Sequence, residues 1–143
     1  MTQRVHDTNE DEPSVFTGPD LPIRLVMASQ VARIGPTATL REVATKLAAV
    51  EIGALVVGGL DTILGVISER DIVRAIAGRA DLNTTTAREV IGDGQSVSCG
   101  PNATTSEVAK LMAKHGLRHV LVTDGDHLAG IVSARDLVAA FGR

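Results

Sequence analysis

Two short motifs hold the residues best suited to chemistry: Gly65-x-x-Ser68-x-x-Asp71 and Gly130-x-x-Ser133-x-x-Asp136. In each, a short apolar run with strand character ends at the serine, and an apolar stripe at helical spacing begins just beyond it. Backbone N–H groups at a helix start lack intrahelical partners, and the helix dipole favours negative charge there. An anion can settle at either junction, with the Ser68 or Ser133 hydroxyl as an added donor. An ionised aspartate only accepts hydrogen bonds, so Asp71 and Asp136 suit a ligand that offers paired hydroxyls. Arg70 and Arg135 immediately precede them and could supply charge for a phosphate. The same Ser-x-x-Asp spacing is also a helix-capping signature, in which both side chains bind only local backbone. The two roles are compatible, and the sequence leaves both open.

The residues that approach these junctions differ between the motifs. Gly53 and Ala54 precede the first strand pair, whereas Arg118 and His119 stand at the matching positions of the second. Gly53 lets backbone come close to a ligand, and Ala54, Leu55 and Val31 could flank a planar group with aliphatic edges. Val120 joins Arg118 and His119 as the matching candidate set in the second half. Arg118 has an alternative use in an ion pair, and a lone histidine such as His119 is more often structural than a ligand or base. The two sites should therefore differ in charge.

The motifs recur because the chain repeats itself. Residues 36–75 align with 101–140 without a gap, with 15 of 40 positions identical. A period of this size that occurs twice suggests one supersecondary unit pairing with its copy. Thr39-Leu-Arg-Glu42, Thr86-Ala-Arg-Glu89 and Thr104-Thr-Ser-Glu107 are capping boxes that start helices. The first predicts a helix to about Glu51, with Leu40, Val43, Ala44, Leu47 and Ala48 inward, and the third a helix to about His115. Residues 54–57, 63–67, 120–122 and 128–132 read as strands, with brief strands at 31–34 and 95–99. Turns are expected around Asp61 and Asp124-Gly125. The helices after Ser68 and Ser133 are expected to turn Ile72, Val73 and Ile76, and Leu137, Val138 and Phe141, inward. A short helix is expected over 22–27. Each copy is thus strand, helix, strand, strand, helix, giving a first repeat over 21–80, a second over 81–143, and an acidic flexible tail over 1–20 in which Val15 and Phe16 could dock on a neighbour.

Bulk properties narrow the function. A unit of about 60 residues is marginal alone, so the copies should fold together. The 143-residue chain has a net charge of −3, no Trp or Tyr and two Phe, so a general nucleic-acid footprint and aromatic stacking of bases are absent. One cysteine, Cys99, excludes an intrachain disulfide and fits a cytoplasmic protein. No apolar run is long enough to span a membrane. There is no Cys/His metal spacing, no Walker A loop and no Gly-x-Gly-x-x-Gly. Asp71 and Asp136 belong to separate copies, which favours two binding sites over one acid–base centre.

Ile52-Gly-Ala-Leu-Val-Val57 and Leu117-Arg-His-Val-Leu-Val122, with the two Gly-x-x-Ser-x-x-Asp motifs at equal offset, resemble the CBS domain family, whose members occur in tandem pairs called Bateman modules. The resemblance covers about residues 22–141. It implies an α/β (α+β) fold of two β-α-β-β-α repeats packed with pseudo-twofold symmetry and a cleft on each side. It also implies an adenosine-containing ligand, with Asp71 and Asp136 on ribose hydroxyls, and a regulatory rather than enzymatic role. The expected ligands are AMP, ADP, ATP or S-adenosylmethionine, with no required cofactor or metal. A homodimer and an effector protein are the expected partners, with no membrane or nucleic acid. Val56 and Leu121 stand where relatives often hold proline. The alternatives are a ligand-free interaction module whose Ser and Asp residues only cap helices, a small nucleotide-using enzyme, and a nucleic-acid binder.

Overall fold

Each capping box starts a helix, and each short apolar run forms a strand. The computed structural model describes residues 20–50, 53–59, 62–91 and 96–141. The tail over 1–19, the turn at Asp61 and the Phe141 side chain lie outside the described residues. Two compact units result: Val31–Ser96, and Val97–Arg143 together with the described part of Met1–Gln30.

In the Val31–Ser96 unit, β1 is Arg33–Ile34 and α1 is Leu40–Val50. Thr39 Oγ1 accepts from the Glu42 N–H at 3.2 Å, and Glu42 Oε1 accepts from the Thr39 N–H at 3.1 Å. A cap of this kind contributes about 1 kcal/mol. Strands β2 (Ala54–Gly58) and β3 (Ile63–Ser68) form an antiparallel hairpin, and β1 lies parallel to β2, giving sheet order β1-β2-β3. A parallel neighbour needs a crossover, and α1 supplies it. Helix α2 spans Glu69–Ala77 and α3 spans Ala87–Ile91. Leu40, Val43 and Leu47 of α1 pack with Leu55 and Val57 of β2, Ile67, Ile72 and Ala87 in one core. All five residues of β2 are buried, which explains its unbroken apolar run.

The second unit repeats this plan. Strand β4 is Ser98–Cys99, α4 is Thr105–His115, β5 is His119–Asp124, β6 is His127–Ser133 and α5 is Ala134–Phe141. The sheet order is β4-β5-β6, again parallel then antiparallel. The hairpins share a register shift at equivalent points, Val57/Gly58 and Val122/Thr123. Its core joins Cys99, Val108, Leu111, Met112, Val120, Val122, Val132 and Leu137 with Ile23.

Ile23 belongs to the lead-in, which forms a 3-10 turn over Ile23–Leu25 rather than the short helix expected over 22–27. Its Ile23 N–H donates to the Ala103 carbonyl at 2.7 Å, and Ala28 exchanges two backbone hydrogen bonds with Ile131 at 2.9 and 3.0 Å. Conversely, the Leu40 N–H donates to the Thr85 carbonyl and the Ala87 N–H to the Ala38 carbonyl. Repetition divides the sequence at 80/81, but packing assigns residues 20–30 to the second copy's strands and 81–96 to the first copy's. The segment before each copy completes the core of the other.

Two packing expectations are corrected. Val73 (64% exposed), Ile76 (55%) and Val138 (69%) face outward. The inward stripe of α2 runs through Ile72 and Ala75, and that of α5 through Leu137 and Ala140. One residue of helical rotation, about 100°, carries Val73, Ile76 and Val138 off those stripes. Ala48 is exposed as well, beyond the edge of the stripe formed by Leu40, Val43 and Leu47.

Candidate functional site

Each sheet delivers its last strand directly into a helix, and the serine and aspartate sit at that joint. Ser68 ends β3 with extended backbone and caps α2. Asp71 Oδ2 accepts from the Ser68 N–H at 2.7 Å and from the Ser68 hydroxyl at 3.0 Å, while Ser68 Oγ accepts from the Asp71 N–H at 3.3 Å. In the other copy, Asp136 Oδ2 accepts from the Ser133 N–H at 2.8 Å and Ser133 Oγ accepts from the Asp136 N–H at 3.0 Å. The capping role is thus realised in both copies. One oxygen of each carboxylate is committed to the cap. The other has no hydrogen-bond partner among the described residues, so each aspartate can still accept from a ligand.

The helix starts hold fewer idle donors than the sequence suggests. The Glu69 N–H donates to the Gly53 carbonyl at 2.9 Å and the Ala134 N–H to the Arg118 carbonyl at 2.8 Å. With the Ser68, Asp71, Ser133 and Asp136 N–H groups also engaged, the Arg70 and Arg135 N–H groups are what each junction has left for an anion. Side-chain charge must supply the rest. Arg70, Arg118 and Arg135 are exposed, with no hydrogen-bond or ion-pair partner among the described residues.

The strands carry the other candidates to the same joints. Ala54 pairs with Ser68 and His119 with Ser133 across the hairpins. Arg33 pairs with Val56, so the parallel register carries half-buried Val31 to the level of Ala54. Three candidates are corrected here, the first being Ala54, whose side chain is only 2% exposed and presents no open edge. The side chains of Leu55 (0% exposed) and Val120 (1%) are sealed into the helix-side cores, because strand alternation turns them away from Ala54 and His119. They support the site without offering an edge to a base.

Sequence reasoning missed two contributors. The Gly53 and Arg118 carbonyls close the helix starts, and no side-chain signal announces a backbone acceptor. Glu69 in the first turn of α2, against Ala134 in α5, was legible as a charge difference beside the motif. Elsewhere, Cys99 is buried, and that burial, with the negative charge of Glu107, raises its thiol pKa to about 11. It therefore stays a neutral core residue near pH 7. Among the described residues no group of three or more His, Cys, Asp or Glu side chains could hold a metal ion, and no helix is long and apolar enough to cross a membrane.

This geometry defines a duplicated β-α-β-β-α module with one polar strand-to-helix junction per copy. The chain belongs to the CBS domain family, whose model matches residues 23–78 and 87–143. It is 30% identical to the CBS domain-containing protein YhcV of Bacillus subtilis, over 80% of this chain and 81% of that one. It is 34% identical to Hypoxic response protein 1 of Mycobacterium tuberculosis over 80% of each chain. A crystal structure of Hypoxic Response Protein I, which holds two coordinated zinc ions, superposes with a TM-score of 0.69 at 32% identity, covering 82% of this chain and 97% of that one. The CBS domain protein PAE2072 of Pyrobaculum aerophilum, complexed with AMP, superposes with a TM-score of 0.72 at 28% identity, covering 86% of this chain and all of that one.

Proposed function

We propose that this chain is a non-enzymatic regulatory module that binds an adenosine-containing nucleotide at its strand-to-helix junctions and signals that occupancy to a partner protein. One observation carries the reading. Each duplicated aspartate keeps one carboxylate oxygen outside its cap, and the residue before it is an exposed arginine without a partner among the described residues. That oxygen suits the paired hydroxyls of a ribose, and the arginine suits a phosphate. The AMP complex of PAE2072 supports this class of ligand. A cytoplasmic setting fits the single buried free thiol.

Thermal shift with AMP, ADP, ATP and S-adenosylmethionine tests the reading. A ligand at about 100 times its Kd stabilises the protein by roughly 2.7 kcal/mol. For this chain length that is a rise of about 9 °C in Tm from average unfolding entropies. The rise should shrink when Asp71→Asn and Asp136→Asn are combined.

A second reading has its own support. The Ser68–Asp71 cap is fully reciprocal, and Val73 and Val138 expose apolar surface at equivalent positions of the two copies. A ligand-free interaction module would use these faces alone, and no adenosine compound would then shift the melt. Under either reading the exposed Val73, Ile76 and Val138 support a homodimer. Val73→Glu with Val138→Glu should halve the mass measured by light scattering.

A further inference from the structure

We infer that the two junctions divide adenosyl ligands by charge: Ser133–Asp136 takes the phosphorylated ones and Ser68–Asp71 takes those without phosphate. The inference rests on the nucleotide reading above and assigns a ligand class to each copy. Three differences in equivalent places carry it.

The first lies in the helix turns. The α2 start presents Glu69, Arg70 and Asp71, whereas α5 presents Ala134, Arg135 and Asp136. The second lies in the residue whose carbonyl closes each helix start. Gly53 has no side chain to charge the first junction, but the equivalent residue of the second is Arg118, exposed and without a partner among the described residues, whose carbonyl accepts from the Ala134 N–H. One arginine between two carboxylates gives the first junction a formal charge of −1, and two arginines with one carboxylate give the second +1. The third lies in the hydroxyls. The Ser68 hydroxyl donates to Asp71 Oδ2 at 3.0 Å, so its proton is engaged. Ser133 Oγ accepts from the Asp136 N–H at 3.0 Å and donates to no described group, so its proton can reach a ligand oxygen. A phosphate thus meets two guanidinium groups, the Arg135 N–H and a free hydroxyl at the second junction. At the first it meets one guanidinium opposed by Glu69. Neutral adenosine, or S-adenosylmethionine with its cationic sulfonium, avoids that opposition.

Calorimetric titration of wild-type protein with ATP, AMP, adenosine and S-adenosylmethionine, at low and high salt, tests the division. Arg118 and Glu69 are both exposed, so Arg118→Glu and Glu69→Gln leave the cores untouched. Arg118→Glu should weaken ATP about threefold to tenfold, the scale of exposed charge pairs, and leave adenosine unchanged. The effect should shrink at high salt, where exposed charges are screened. Asp136→Asn should weaken ATP more than Asp71→Asn does, and Glu69→Gln should strengthen phosphate-bearing ligands at the first junction, raising the ATP stoichiometry towards two. If Arg118→Glu leaves ATP affinity intact, or Asp71→Asn is the variant that weakens ATP more, the division is overturned while the nucleotide reading stands. If wild-type protein binds none of the four compounds, the nucleotide reading fails and the division fails with it.

Discussion

Ser68 and Ser133 occupy equivalent positions, yet only Ser68 has its hydroxyl proton held by the neighbouring aspartate. The joints agree in backbone: both serine N–H groups donate to Oδ2, both aspartate N–H groups donate to Oγ, and both first helical N–H groups donate to the carbonyl just before the first strand of the hairpin, Gly53 or Arg118. They differ in the side chains around that frame, Glu69 against Ala134 and Gly53 against Arg118. The hairpins show the same division. Both carry a register shift, but the first passes through Gly58 at φ 145°, where the second has Thr123 and turns instead through Gly125 at φ 62°. Duplication has kept what the backbone needs to cap a helix and bend a strand pair. It has released what a ligand would feel.

Substitutions at matched positions can break that comparison. The largest effect is expected at Gly58→Ala. A Cβ there would run into the Thr62 carbonyl oxygen, on a φ of +145° that side chains rarely adopt. The loss should reach about 3 kcal/mol or more, against under about 1 kcal/mol for Thr123→Ala, both read from urea unfolding. Equal losses would mean the hairpins are not differently built. Next comes Gly130→Ala, whose Cβ would meet the Ala28 carbonyl oxygen at 2.6 Å and Met27 Sδ at 2.7 Å. Met27 can swing away, but the Ala28 carbonyl is tied to the Ile131 N–H at 3.0 Å. A cost of about 1–3 kcal/mol is expected as the lead-in is pushed off β6. Smaller still, Ser68→Ala and Ser133→Ala should each cost about 1 kcal/mol for the lost cap. Ser68→Ala should cost a few tenths more, because it also removes a hydroxyl donor to a carboxylate, about 0.3 kcal/mol after solvent screening.

The sequence spelled out local structure well because capping and strand alternation are short-range. The boxes at Thr39, Thr86 and Thr104 all start helices, and the runs at 54–57 and 120–122 are buried strands. It misled where the outcome depends on partners distant in sequence. Val73, Ile76 and Val138 are apolar at roughly helical spacing, but which flank faces the sheet is fixed by docking, and these three fall outside the contact. Leu55 entered the candidate site as an aliphatic edge and Val120 as its counterpart, although strand alternation from Ala54 and His119 could have excluded them. Residues 20–30 precede the first copy in the chain, and nothing local reveals that Ile23 completes the second copy's core. At the joints, the Ser-x-x-Asp spacing gave the helix caps. It could not say that one carboxylate oxygen would be committed and the other left.

Asp20 offers the smallest and sharpest test of that lead-in. Burial pushes its carboxyl up, but hydrogen bonds from the Ser106 N–H, the Ser106 hydroxyl, Thr105 and Thr104 outweigh burial and hold it below the ordinary value of 3.8. The Ser106 N–H and hydroxyl both lie at 3.0 Å from the carboxylate, at the start of α4, where negative charge is favoured. A carboxyl whose folded pKa is depressed adds stability above its unfolded pKa and loses it as pH falls through the folded value. Wild-type protein should therefore lose this contribution below about pH 4, the unfolded carboxylate range. Asp20→Asn should be less stable than wild type at neutral pH by under about 1 kcal/mol, since the group is exposed and screened. In thermal melts, the gap between the two proteins should narrow as pH falls through the depressed folded value of Asp20, because protonation removes the charge that Asn lacks. A gap that stays constant with pH would mean the carboxylate charge does not hold the lead-in to α4, and that Ile23 and Ala28 hold it unaided.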